Sequence, residues 1–173
     1  MTENTLRNNS KIYDSSISLD KAVEIRNNTK IAGKTFALTN GCFDLLHSGH
    51  VFSLEQASKL ADVLWVMLNS DSSVKNLKGN KRPIVKERDR AYLLNSLEFV
   101  SGVTIFNSPR LDQEILALSP DIYIKSGDYN KDTIERTELD ALKKVRSKIE
   151  FVSFLPDKNT TSLIDEILLK FNL

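Results

Sequence analysis

A chain of 173 residues is of single-domain size and can bury a core without disulfides or metals to staple it. Its net charge of +1, from 24 Lys and Arg against 23 Asp and Glu, supplies no field for a polyanion, so nucleic acid is not the expected partner. The one cysteine, Cys42, cannot close an internal disulfide, the polar amino terminus lacks a signal-peptide core, and no segment approaches the roughly 18 apolar residues of a membrane span; a soluble, cytoplasmic protein with no membrane partner is expected.

Residues 1–15, rich in Asn, Ser and Thr, read as a flexible tail, and residues 16–173 as one domain. Behind Ser18, a candidate cap, Leu19, Ala22, Val23 and Ile25 recur near helical spacing until Gly33 breaks the run. Residues 34–38 (KTFAL) are a short β-prone run leading into Thr39-Asn40-Gly41, and residues 47–60 place Val51, Leu54, Ala57 and Leu60 on one helical stripe. Residues 63–68 (VLWVML) form the continuous apolar run of a strand buried on both faces. Beyond them, helices are expected at 88–97, 111–118, 133–145 and 161–171, and strands at 100–106, 122–125 and 149–154. The alternation predicts an α/β fold: a parallel sheet of about five strands with helices on both faces, and a ligand site at the strands' carboxyl ends near the switch point.

The segment 39–50, TNGCFDLLHSGH, lies between the first core strand and its helix, which is the phosphate position of such a fold. Gly41 and Gly49 let backbone approach an anion, and the free N–H groups of the helix start favour negative charge there. His47 and His50, the only two histidines of the chain, stand three apart and can face one phosphate chain. An i, i+3 pair could instead be half of a zinc site, but one Cys and no third His leave it short of ligands, so no metal site of the protein's own is expected. Gly33-Lys34-Thr35 is not a Walker loop, because it runs into a strand rather than opening a helix.

Gly41-Cys42-Phe43-Asp44 followed by His47-Ser48-Gly49-His50 resembles the GxFDxxHxGH signature of the cytidylyltransferase-like nucleotidyltransferases. From Gly33 to about Ile167 the chain is similar to the adenylyltransferase domain of the heptose 1-phosphate enzymes that make ADP-heptose. Leu68-Asn69-Ser70-Asp71, Leu77-Lys78-Gly79 with Arg82-Pro83, and Lys125-Ser126-Gly127-Asp128-Tyr129 carry the rest of the likeness. The resemblance implies a Rossmann-like sheet, with ATP as substrate and Mg²⁺ accompanying the nucleotide. In bifunctional members a sugar kinase precedes this domain; no kinase-sized segment stands here, so a stand-alone transferase is expected.

Carried over residue by residue, the resemblance places the nucleotide on Thr39, Asn40, Gly41, Cys42, Phe43, His47, Gly49 and His50, and on Arg90, Lys125, Gly127 and Asp128. It adds Thr160, Thr161 and Ser162, although Asn159 stands where the family usually has Ser and the Gly before it is replaced by Asp157-Lys158. Asp44, Lys78 and Arg82 are implied at the acceptor, with Lys78 also catalytic beside the two histidines. Each has a plainer reading. The basic stretch 75–83 is a loop whose charges could be solvated surface, Arg90 could pair with Glu87 on a helix face, and Arg88 is close enough to take its part. Gly127-Asp128 could shape an ordinary turn, Thr160 or Thr161 could be a helix cap, and Trp65 is most simply core.

The resemblance thus implies transfer of AMP from ATP to a sugar 1-phosphate, a heptose phosphate foremost, with release of pyrophosphate. CTP-dependent transfer to glycerol phosphate or another alcohol phosphate shares the motif and stays open, as does a nucleotide-binding module without turnover. Family members are often oligomers, and the helix faces could support a homodimer.

Overall fold

The computed structural model describes residues 15–126, 133–153, 155 and 160–172. They form α1 (Leu19–Ile31), β1 (Phe36–Gly41), α2 (Ser48–Ser58), β2 (Val63–Asn69), α3 (Asp71–Lys78), α4 (Glu87–Asn95), β3 (Gly102–Phe106), α5 (Asp112–Leu118), β4 (Ile122–Ser126), α6 (Arg136–Val145), β5 (Lys148–Val152) and α7 (Thr160–Phe171). The sheet runs β3-β2-β1-β4-β5 and every pairing is parallel. The chain therefore winds outward from β1 to β3 and returns to the other side of β1, so the switch point lies between β1 and β4.

Strand periodicity explains the two layers of helices. Phe36, Leu38, Trp65, Met67 and Tyr123 pack on one face with Ala22 of α1, Leu118 of α5 and Leu142 of α6. Ala37, Leu64, Val66, Leu68 and Ile124 point the opposite way, onto Leu54 and Ala57 of α2 and Ala91 and Leu94 of α4. The expected Rossmann-like α/β sheet is thus present, with Trp65 in the core at 1% exposure. α7 buries no side chain among the described residues, and no helix among them is long and apolar enough to cross a membrane.

The expected elements reappear with shifted ends and one addition. Ser18 caps α1, its Oγ accepting the Lys21 N–H at 3.3 Å. β1 begins later than expected and runs on through Thr39, which β2 and β4 hold from both sides, and through Asn40 and Gly41, which pair with β2. The expectation of a loop over 75–83 is corrected: its first four residues belong to α3, which Ser70 caps through the Ser73 N–H and which Gly79 ends at φ +88°. Residues 1–14, Gly127, Asp128, Tyr129 and Asn159 lie outside the described residues.

One close approach tests this packing. The Trp65 ring covers Gly102 of the neighbouring strand so closely that a Cβ there would meet ring carbon at 2.4 Å, and Trp65 Nε1 donates to Thr104 Oγ1 at 3.0 Å. Gly102→Ala is expected to lower the unfolding free energy by about 1–3 kcal/mol in urea titration, since the ring can yield only by leaving its buried bond. A variant as stable as wild type would show that the ring is not so fixed.

Candidate active site

A cavity of about 570 Å³ opens at the carboxyl ends of the strands. β1 supplies Asn40 and Gly41 to its lining, β2 Asn69, β3 Phe106, and β4 Lys125 and Ser126. The motif loop contributes Cys42, Phe43, Asp44 and His50, and Thr160 at the start of α7 and Lys78 at the end of α3 also line it. The site expected from the strand order is where the structure opens.

At the start of α2 the two histidines act together. His47 is the cap residue, and its Nδ1 accepts the Gly49 N–H at 3.1 Å. That bond assigns the proton of the neutral ring to Nε2, leaving a donor at the far side of the imidazole. The His50 ring stacks on it with centroids 3.8 Å apart and meets the Phe43 ring edge-on at 5.2 Å. Phe43 holds φ +45°, a costly conformation for a bulky residue, and its ring lies where a side chain at Gly41 would have to go, 2.9 Å from an added Cβ. His50 is pushed down to about 4, first by burial, then by the neighbouring charges of His47 and Lys78, against a weaker opposing pull from the Leu45 backbone. It is therefore a neutral imidazole at neutral pH, and its Nδ1 is buried with no hydrogen-bond partner among the described residues.

Other expected site residues hold the loop, Asp44 while also lining the opening, Arg82 and Arg90 outside its lining. Asp44 is 2% exposed; its Oδ1 accepts the Ile84 and Val85 N–H groups at 2.7 and 2.9 Å, and its Oδ2 takes Arg82 Nε. Arg82 is thereby folded back onto the motif and is not among the cavity's lining residues. Arg90 differs most from expectation. Instead of pointing at a triphosphate or at Glu87, its guanidinium is buried: Nη1 donates to the Cys42 and Asn69 carbonyls, Nε to Val85 O at 2.9 Å and Nη2 to Asp71 Oδ1 at 2.9 Å. The reason is geometric, because the ends of β1 and β2 and the turn before α4 converge carbonyl oxygens that only a forked cation can satisfy together. Glu87 pairs instead with the start of α3, accepting the Asp71 N–H at 2.6 Å.

Thr39 is buried and ties β1 to β4 through the Ile124 carbonyl at 2.9 Å, outside the cavity lining, while Gly49 is buried beneath His47. Cys42 faces the cavity as a thiol, burial holding its pKa up against the opposing charges of Lys78 and Arg90. Thr161 and Ser162 are exposed on α7, away from the lining. The sequence reading gave no role to Asn69, Phe106, Pro109, Arg110, Glu135 and Glu138, all of which line the opposite wall. Their one linear signal is position, since each lies at or just beyond a strand's carboxyl end or in the first turn of α6.

Among the described residues no three His, Cys, Asp or Glu side chains come together to hold a metal ion. The carboxylates at the cavity among the described residues are paired, Asp44 with Arg82, Glu135 with Arg110 and Glu138 with Lys125. A divalent ion here would arrive as part of a magnesium–nucleotide substrate, ligated by phosphate oxygens and water.

A parallel sheet with its cavity at the switch point, walled by a histidine-capped helix start, defines a Rossmann-like α/β protein. Residues 38–165 match the family described as cytidylyltransferase-like, and the chain belongs to that family. It is 42% identical over 143 residues to the bifunctional protein HldE of Pelobacter propionicus, a match covering 83% of this chain and 29% of that protein. To the bifunctional protein HldE of Nitratiruptor it is 45% identical over 135 residues, 78% of this chain and 28% of the other. The chain thus spans less than a third of the length of these relatives. The crystal structure of a lipopolysaccharide core biosynthesis protein from Thermoplasma volcanium superposes with a TM-score of 0.58 at 26% identity, over 71% of this chain and 98% of that one.

The state of His50 is directly measurable. Following its ring resonances by NMR, we expect a midpoint near 4 in the nucleotide-free protein and an upward move when an anionic triphosphate occupies the cavity. Because the folded value is depressed, His50 contributes stability that is fully present above its ordinary value and is lost as pH falls through the folded one. A midpoint at the ordinary value of about 6.5 would show that the ring is solvated and not held as a neutral donor.

Proposed function

We propose that the chain transfers AMP from ATP to a sugar 1-phosphate, a heptose 1-phosphate foremost, and releases pyrophosphate. The observation that carries this reading is the stacked pair of His47 and His50 at the start of α2, with His50 lining the cavity and its Nδ1 buried and without a hydrogen bond among the described residues. The relatives named HldE and the structure described as a lipopolysaccharide core biosynthesis protein support a sugar phosphate as acceptor.

The chemistry asks little covalent work of the protein. An oxygen of the acceptor phosphate attacks the α-phosphorus of ATP, a new P–O bond forms, and the bond from the α-phosphorus to the bridging oxygen breaks to release pyrophosphate. The attacking oxygen is already anionic, so no general base is required, and catalysis reduces to alignment and to stabilising charge on the α-phosphoryl oxygens. His50 supplies an N–H in a dry site, His47 fixes the tilt of the His50 ring by stacking on it, and the start of α2 adds the positive end of its dipole. Lys78, at the cavity edge on the last turn of α3, balances the leaving phosphates, and Thr160 brings the start of α7 to the same space. Mg²⁺ accompanies ATP as substrate and supplies further charge neutralisation. Gly127 and Asp128, with Lys125, belong to the proposed nucleotide contacts.

Incubation with ATP, CTP, GTP and UTP against a panel of sugar and alditol phosphates, with pyrophosphate as readout, tests the reading. ATP with a heptose 1-phosphate is expected to exceed CTP by about a hundredfold or more in kcat/KM, and His47→Ala or His50→Ala to lower kcat by about a hundredfold or more with the fold intact. Preference for CTP with glycerol phosphate would overturn the acceptor and base. Near-normal turnover without either histidine would overturn the site, and binding without pyrophosphate release would leave a nucleotide-binding module.

A further inference from the structure

The cavity floor holds a charged network in which the reaction described above gives a part to Lys125 but none to Tyr123 or Glu138. Asn40 Oδ1 at the end of β1 accepts from Lys125 Nζ at 2.8 Å and from the Tyr123 hydroxyl at 3.1 Å. The same hydroxyl lies 3.1 Å from Glu138 Oε2, and Lys125 Nζ is 3.5 Å from that oxygen. The other carboxylate oxygen accepts the Leu111 N–H at 3.3 Å. Lys125 and Glu138 are both nearly enclosed, with side chains 12% and 9% exposed, although both line the cavity. Glu138 stands in the first turn of α6, where nothing in the helix itself requires a buried carboxylate.

We propose that Glu138 is a positioning residue for the transfer reaction, holding Lys125 charged and aimed across Asn40 into the cavity. The proposal rests on the reading of the cavity as a nucleotidyl-transfer site, but its physical core concerns only this network. A lysine taken out of water loses its proton readily unless an opposite charge compensates. Burial does pull Lys125 down from the ordinary lysine value, and the Glu138 charge and hydrogen bond are what oppose that pull. Among the described residues the ammonium meets Asn40 from β1, the Tyr123 ring 5.1 Å away on β4, and Glu138 from α6; Glu135, the residue that precedes α6, is engaged by Arg110 at 2.9 Å. Of these, Glu138 is the buried charge in reach. Tyr123, donating near both Asn40 and Glu138, ties the carboxamide to the carboxylate, so that one helix turn fixes the direction of the lysine at the end of the neighbouring strand.

Glu138→Gln removes the compensating charge at nearly unchanged shape: its one amide oxygen can still accept the Leu111 N–H, while its NH2 takes the place of the other oxygen and the Tyr123 hydroxyl is left to donate to Asn40. With lysines labelled at the ε carbon and the Lys125 resonance assigned by its loss in Lys125→Arg, NMR titration is expected to show the Lys125 midpoint lower in Glu138→Gln by about one to three units. Tyr123→Phe, which leaves the charge in place, is expected to keep the wild-type midpoint. In turnover, the alkaline limb of kcat/KM for ATP moves to lower pH by the same amount in Glu138→Gln, and the shift disappears when Lys125→Arg is added, since guanidinium stays charged throughout. If Glu138→Gln does not fold, Glu138→Asp draws the charge back by one methylene and should shift the midpoint in the same direction by less. An unchanged Lys125 midpoint in the folded variants, or an equal shift in Tyr123→Phe, overturns the proposal. The titration needs no turnover, so a chain that releases no pyrophosphate would defeat the transfer reading while this measurement still decides the role of Glu138.

Discussion

The Arg90 guanidinium occupies the point where the ends of β1 and β2 and the turn before α4 meet, and the shape of the cavity follows from it. Three backbone carbonyls, from Cys42, Asn69 and Val85, converge there with the Asp71 carboxylate. At 1% exposure no water can take the place of the cation, and leaving such groups unpaired would cost about 1–3 kcal/mol each. The fork holds Cys42, and hence the motif loop, against the strand end that carries Asn69. Asp44 completes the frame from the other side by taking Arg82 and the N–H groups of Ile84 and Val85. Both charges that a phosphate might have been expected to meet are thus spent on framing the loop on which His47 and His50 begin their helix.

With the loop framed in this way, His50 is buried and held as a neutral imidazole. A cavity meant for a polyphosphate would ordinarily be lined with free cations. Here Arg82, Arg90 and Lys125 are each paired with a carboxylate, and among the described residues His50, Lys78 and Thr160 line the opening together with Arg110, which pairs with Glu135. Neutral donors preorganised in a low-dielectric site stabilise charge as it develops without binding the ground state too firmly.

How much of this was legible in the sequence depended on range. The alternation of apolar strands and helical stripes is local, and so is the motif 41–50, which is why the sheet, its two covered faces and the place of the cavity could be read directly. α3 escaped because eight residues with only Val74 and Leu77 as apolar members carry little periodicity, although Ser70, Lys78 and Gly79 mark its ends as caps do. β1 ran past its expected end because Asn40 and Gly41, poor strand formers by themselves, are held in the sheet by β2. The roles of Arg90, Asp44 and Glu138 were not legible at all. Arg90 meets the Cys42 carbonyl across 48 residues and Asp44 meets Ile84 across 40, and no local pattern distinguishes a cation that binds a ligand from one that binds the chain.

We propose a division of labour, in which Arg90 frames the cavity and His50, with His47 stacked on it, meets the phosphates. A crystal structure with Mg²⁺ and an ATP analogue carrying a methylene between the α- and β-phosphorus tests it most directly. It should show the α-phosphate within hydrogen-bond distance of His50, with Arg90 still donating to the carbonyls of Cys42 and Asn69. An Arg90 guanidinium swung out onto the phosphates, or a nucleotide seated away from His50, would contradict it.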